Sequence, residues 1–167
     1  MKKIYIIGDV ASGKTTFSKK LSRKINIPSY ELDGITWSKT GKERNKRTDE
    51  EQIKVINEIN EIGNWLIEGT FRKSSHYLFE LSNKIIFLDT ASWKKKYRIL
   101  LRFIKQQLRI EKSHYKSDFH VLILMYKWNR DFENQRNDFE KILNNYEGKI
   151  IIVKNAENFL KEVTVEI

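Results

Sequence analysis

Five short apolar runs punctuate the chain, at Lys3 to Ile7, Ser29 to Leu32, Trp65 to Ile67, Lys84 to Leu88 and Lys149 to Val153, each flanked by residues of helical period. Such runs suit strands buried on both faces, and their alternation with helices predicts an α/β protein built on a parallel sheet. A first helix is expected from about Lys14 to Lys24, with Phe17 and Leu21 four apart on the face turned to the sheet and Asn26 and Pro28 beyond its end. Thr48-Asp49-Glu50-Glu51 has the form of a capping box, opening a helix that points Ile53, Ile56 and Ile59 inward and stops at Gly63. After the fourth run, Ser92 is expected to cap a long helix with one stripe of Tyr97, Leu101, Ile104 and Leu108 and another of Arg98, Arg102, Lys105 and Arg109. At about 100° per residue the four basic positions fall within about 60° of arc, roughly 100° from the apolar stripe. The period fades from Ile110 to Ser117, which predicts a loop or lid. A last helical region runs from Asp118 to Tyr146, broken near Asn129-Arg130 and stopped at Gly148. No repeat, linker or low-complexity tract interrupts the pattern, so residues 1–167 are expected to form one domain.

The segment between the first strand and the first helix carries the strongest chemical signal. Gly8-Asp9-Val10-Ala11-Ser12-Gly13-Lys14-Thr15 matches G-x-x-x-x-G-K-[ST] in the strand, loop and helix order that a phosphate-binding P-loop requires. Glycines at its two ends let the backbone fold tightly, so that successive N–H groups and the positive end of the helix face nucleotide phosphates. Gly8, Asp9, Ala11, Ser12 and Gly13 are therefore expected to form the cradle. Lys14 is expected to reach the β- and γ-phosphates, Thr15 to hold Mg²⁺ and Thr16 to bond a phosphate from the next turn, so the expected ligands are ATP and Mg²⁺.

Composition narrows the class of molecule. With 40% hydrophobic and 12% aromatic residues in 167, the chain can bury a real core and is not a disordered one. No apolar run approaches the roughly 20 residues needed to span a bilayer, and Met1-Lys2-Lys3 leads directly into the first strand rather than a signal peptide. Without cysteine there are no disulfides and no thiolate metal sites, which fits the cytoplasmic location expected here. The net charge of +10 is concentrated: residues 93–116 carry a local +8 and residues 39–47 a local +4, leaving the remainder at −2. Two segments therefore face an anion.

Carboxylates at strand ends supply further candidates. Glu68, in Trp65-Leu66-Ile67-Glu68-Gly69, is placed to anchor Mg²⁺ or its water beside the P-loop, and Asp89 at the end of Ile85-Ile86-Phe87-Leu88-Asp89 is a rival with the same pattern. Asp33 closes the second strand, where it either orients and deprotonates an acceptor group or forms a turn before Gly34. Trp37 reads as core packing before base stacking. Arg72, just past Glu68, is placed to clamp a substrate phosphate. His76, His114 and His120 have no metal-ligand spacing and are expected to be structural or solvent-facing.

Taken together, the P-loop, Glu31-Leu32-Asp33-Gly34-Ile35-Thr36-Trp37, Trp65-Leu66-Ile67-Glu68-Gly69-Thr70-Phe71-Arg72, Ile86-Phe87-Leu88-Asp89, the Arg-rich helix and Trp128-Asn129 resemble the adenylate-kinase-related P-loop family of DNA topology modulation (FlaR-like) proteins. That family commonly has Asp at the position of Glu68 and Asn-Tyr at Thr70-Phe71. The resemblance implies a three-layer P-loop NTPase fold like that of nucleoside and shikimate kinases, with a five-stranded parallel sheet in the order 2-3-1-4-5. It also implies an acceptor flap at about 33–62 holding Asp33 and Arg72, and a lid at about 98–118 contributing Arg102 and Arg109. Two activities are then open: phosphoryl transfer from Mg·ATP to a small acceptor, nucleotide or nucleoside-like, or a nucleic-acid-binding ATPase whose basic segments track a phosphate backbone. The basic residues lie where a lid and an acceptor flap belong, which favours the kinase; no membrane partner is expected.

Overall fold

The computed structural model describes residues 1–40, 43–72, 75–108, 110 and 118–163, with backbone alone at 39, 40, 43 and 44. The five apolar runs form one parallel sheet of β1 (Lys3–Gly8), β2 (Ser29–Glu31), β5 (Trp65–Gly69), β6 (Lys84–Leu88) and β7 (Ile150–Val153). Across the sheet the order is β2-β5-β1-β6-β7. This numbering departs from the expected 2-3-1-4-5 because two strands outside that sheet intervene in the chain, β3 (Trp37–Thr40) and β4 (Glu43–Lys46), which pair antiparallel as a hairpin. β1 sits at the centre, bonded to β5 on one side and β6 on the other, so the loop that leaves its end opens into the middle of the sheet's C-terminal edge.

Alternate residues of the three central strands, β1, β5 and β6, serve different cores. Ile4 and Ile6 of β1 face the side where α1 (Lys14–Ile25) packs with Phe17, Leu21 and Ile25, joined by Phe159 and Leu160 of α8 (Ala156–Glu162). Tyr5 and Ile7 face the other side, against Leu32 and Ile35 of α2 (Leu32–Thr36), Ile56 and Ile59 of α3 (Asp49–Glu61), and Leu78 and Phe79 of α4 (Tyr77–Leu81). Phe139 and Leu143 of α7 (Arg136–Asn144) complete that second core. Helices on both faces explain why the strands read as continuous apolar runs.

Several expectations need correction. The Thr48 capping box forms with both of its bonds, but Ile53 is 39% exposed and Gln52 occupies the buried position beside it. Ser92 is the first residue of α5 (Ser92–Gln107) rather than its cap, and its hydroxyl bonds Asn129 instead. Within α5 the buried positions are Lys95 and Ile99, while Tyr97, Ile104 and Leu108 are 61%, 43% and 64% exposed. The apolar stripe thus lies about 180° around the helix from the seam that is buried. Asp118 caps α6 (Phe119–Asn134) by accepting from the Val121 N–H, and the helical region breaks at Gln135, not near Asn129-Arg130. The helices α2, α4 and α8 were not legible from periodicity because each spans fewer than eight residues. Among the described residues no helix is long and apolar enough to cross a membrane.

Candidate active site

The loop between β1 and α1 is held in the shape that its motif predicts. Gly13 adopts φ 96°, a left-handed conformation that side chains resist, and this turns the chain into the first turn of α1. Ala11 is also left-handed, at φ 57°. The backbone N–H of Ser12 donates to the Asp9 carbonyl at 3.2 Å, and the same carbonyl accepts from Lys14 Nζ at 2.8 Å. Ser12 Oγ is buried and finds no hydrogen-bond partner among the described residues, an orphan polar atom inside a loop already suited to phosphate oxygens.

Lys14, Thr15 and Glu68 converge at the base of the crevice. Thr15 Oγ1 donates to Glu68 Oε1 at 2.6 Å. Glu68 is buried, and desolvation raises its pKa above the usual carboxylate value against the pull of the Thr15 hydroxyl and Lys14. Burial lowers the Lys14 pKa, opposed by the negative charges of Glu68, Asp9 and Asp33. Asp89, by contrast, accepts from Arg136 Nη2 at 2.9 Å and ties α7 to the end of β6. Geometry therefore puts Glu68, and not Asp89, beside the P-loop threonine.

Asp33 and Arg72 face each other across the same edge. Arg72 Nη2 donates to Asp33 Oδ1 at 2.9 Å and Nη1 to Thr36 Oγ1 at 3.3 Å, with both charged side chains partly open to solvent. Gly69 makes this approach possible: a Cβ there would lie 2.5 Å from Leu32 Cβ, so only glycine lets β5 and α2 pack this closely. Arg47 of the second basic segment donates to the carbonyls of Gly34 and Ile35, each at 2.9 Å, and so caps α2. Trp37 starts the hairpin at half-burial, paired in register with Lys46.

On the opposite side of the loop, a cavity of about 410 Å³ opens between α5 and α8. Its walls include Ser12, Gly13 and Thr16 from the loop and α1, Arg98, Arg102 and Lys105 from α5, and Glu157 and Leu160 from α8. Arg98 Nη1 donates to Ser12 O at 2.7 Å and to Ala11 O at 3.3 Å, so part of the basic face grips the loop itself. Arg109 and residues 111–117, which carry much of the expected lid and His114, lie outside the described residues.

Other expected residues serve the scaffold. The Asp9 carboxylate is taken up by Lys95 and Asn129, leaving its backbone as its part in the cradle. His76 stacks on Phe79 at 5.7 Å between centroids, and His120 is exposed on α6. No group of three or more His, Cys, Asp or Glu suited to a metal occurs among the described residues. Sequence reasoning missed Lys95 and Glu133, which pair through space from helices 38 residues apart, and α8, for which Asn155 was a usable cap signal.

No family model matches the chain. A shikimate kinase of Flavobacterium psychrophilum is 38% identical over 85 residues, which cover 51% of this chain and 40% of that protein; the match spans less than half the length of that relative. Among solved structures, a shikimate kinase from Bacteroides thetaiotaomicron superposes with a TM-score of 0.55 at 17% identity, covering 96% of this chain and 94% of that one. A gluconokinase from Sinorhizobium meliloti superposes with a TM-score of 0.52 at 14% identity, covering 96% and 88%. The narrower resemblance to FlaR-like proteins rests on the motifs alone. At these identities the likeness establishes architecture, and the chain has a P-loop kinase fold.

Proposed function

We propose that the protein is a small-molecule kinase that transfers the γ-phosphoryl group of ATP to an acceptor seated between Asp33 and Arg72. The observation that carries this reading is the convergence of Lys14, the Thr15–Glu68 pair and the Arg72–Asp33 pair on one sheet edge. The names of the similar proteins, a shikimate kinase and a gluconokinase, point the same way.

In this reading the loop N–H groups and the Ser12 hydroxyl receive the phosphates, and Lys14, held at the Asp9 carbonyl by one of its three N–H donors, turns the others to the β- and γ-oxygens. The α5–α8 cavity, within the size range of small-molecule pockets, takes the nucleoside, with Arg102 and Lys105 on its wall. Thr15 Oγ1 and Glu68, two hard oxygen donors beside Lys14, fit Mg²⁺, which when bound would neutralise charge on the phosphate oxygens. Asp33 exchanges Arg72 for the acceptor, holding its hydroxyl and taking its proton. Arg72 then neutralises an anionic group of that acceptor. As the acceptor oxygen bonds to the γ-phosphorus, the bridging β–γ oxygen–phosphorus bond breaks and ADP leaves. Residues 33–62 act as the acceptor flap and 98–118 as the lid, in a protein of the cytoplasm. Against a DNA-tracking ATPase stands the placement of Arg98, Arg102 and Lys105 on a cavity wall beside the P-loop.

The test is a panel of nucleoside monophosphates, nucleosides, shikimate and gluconate incubated with Mg·ATP, with ADP release as readout. Transfer to one class is expected, with Lys14→Ala abolishing it. Asp33→Asn should lower acceptor turnover by about a hundredfold or more while leaving ATP affinity nearly unchanged. Wild-type turnover by Lys14→Ala, or duplex DNA binding that persists at physiological salt with no transfer to any acceptor, would overturn the reading.

A further inference from the structure

A buried polar network joins the P-loop to α5 and α6. Lys95, on the seam of α5, is 2% exposed, Asp9 3% and Asn129 of α6 1%. Lys95 Nζ donates to Asp9 Oδ2 at 2.7 Å and to Glu133 Oε1 at 2.7 Å, and Asn129 Nδ2 donates to the same Asp9 oxygen. The other oxygen, Oδ1, accepts from the Val10 N–H at 2.6 Å. Both oxygens of this carboxylate are therefore engaged. Taking an ammonium and a carboxylate out of water is costly, and an apolar pair of the same volume would usually stabilise a core equally well. The placement of the network suggests what else it does. Its carboxylate belongs to the residue whose carbonyl seats Lys14 Nζ, and one turn further along α5 Arg98 bonds the carbonyls of Ala11 and Ser12.

Resting on the kinase reading above, we infer that Lys95 and Asn129 are positioning residues: by clamping the Asp9 carboxylate they fix the Asp9 carbonyl, and with it Lys14, in register with the α5 face that lines the nucleotide cavity. Displacement of α5 by a nucleotide is then transmitted to the loop through two rigid ties, Lys95–Asp9 and Arg98–Ser12. Glu133 has a different part. Its side chain is 32% exposed and touches Lys95 without reaching the loop, so it supports the ammonium and leaves the loop geometry to the other three.

The test compares thermal melting with calorimetric affinity for Mg·AMPPNP, a readout that needs no acceptor. In the double variant Asp9→Asn/Lys95→Met the one charge left in the network is Glu133, whose side chain is 32% exposed and so hydrated, and the melting temperature should stay close to wild type while affinity falls about tenfold. Glu133→Gln should do the reverse, lowering the melting temperature and keeping wild-type affinity. Asn129→Leu removes one of the two donors to Asp9 Oδ2 and should weaken binding about threefold; it decides the matter if the double variant does not fold. Unchanged affinity in a folded double variant or in Asn129→Leu, or affinity losses that track stability losses across all three, would overturn the inference alone. Absence of Mg·AMPPNP binding by the wild-type chain would remove the kinase reading and this inference with it.

Discussion

Glu68 and Lys14 lie in a region where burial works against ionisation, and the consequences can be measured one residue at a time. Desolvation raises the Glu68 pKa, so the folded state binds its proton more tightly than the unfolded chain does. The associated stability is fully present below the unfolded carboxylate value and is lost as pH rises through the raised folded value. Once ionised, above that raised value, Glu68 therefore costs stability in the empty protein. Glu68→Gln, which keeps the acceptor for Thr15 Oγ1, is expected to melt higher than wild type at alkaline pH, with the gap closing as pH falls through the Glu68 titration. The same variant should lower turnover far more than nucleotide affinity. A gap independent of pH, or one of opposite sign, would show that the carboxylate is not held against its own desolvation.

The elements differ in how directly their sequences disclosed them. The capping box at Thr48 was legible because its bonds span three residues and depend on nothing distant. α5 was legible as a helix and misread as a surface. Its apolar stripe and basic face are both periodic, but the seam turned to the core holds Ile99 together with Lys95, a charged residue that a hydrophobicity pattern places in solvent. Ile99→Ala, at a site 1% exposed, should cost about 2–5 kcal/mol in denaturant unfolding, whereas Ile104→Lys, at a site 43% exposed, should stay within about 0.5 kcal/mol. Equal costs would mean that the outer stripe is packed after all.

At the scale of the whole molecule, the site is a property of the sheet's C-terminal edge. Residues from β1, α1, α2, β5 and α5 meet there, and α8 closes the cavity from the far side. Binding of Mg·AMPPNP is expected to raise the melting temperature, with stabilisation of about 2.7 kcal/mol when the free nucleotide is a hundred times its Kd. Hydrogen exchange should slow in residues 92–107 and 156–162 and change little in 49–61, since α3 lies away from the cavity. Protection of α3 in preference to α5 and α8 would place the nucleotide elsewhere.

The P-loop motif, the five apolar runs and the Thr48 capping box were determined by the sequence itself, because each depends on a few neighbouring residues whose backbone geometry and burial follow from local spacing. Candidate acids at strand ends were visible for the same reason, yet their ranking was not. Glu68 and Asp89 have the same local pattern and separate only once β5 and α1 bring one to Thr15 while α7 brings Arg136 to the other. Likewise, nothing local distinguishes Lys95 from its exposed neighbours Lys94 and Lys96. Its partners Asp9 and Glu133 stand 86 and 38 positions away along the chain, and only the packing of α5 and α6 against the end of β1 brings those charges together.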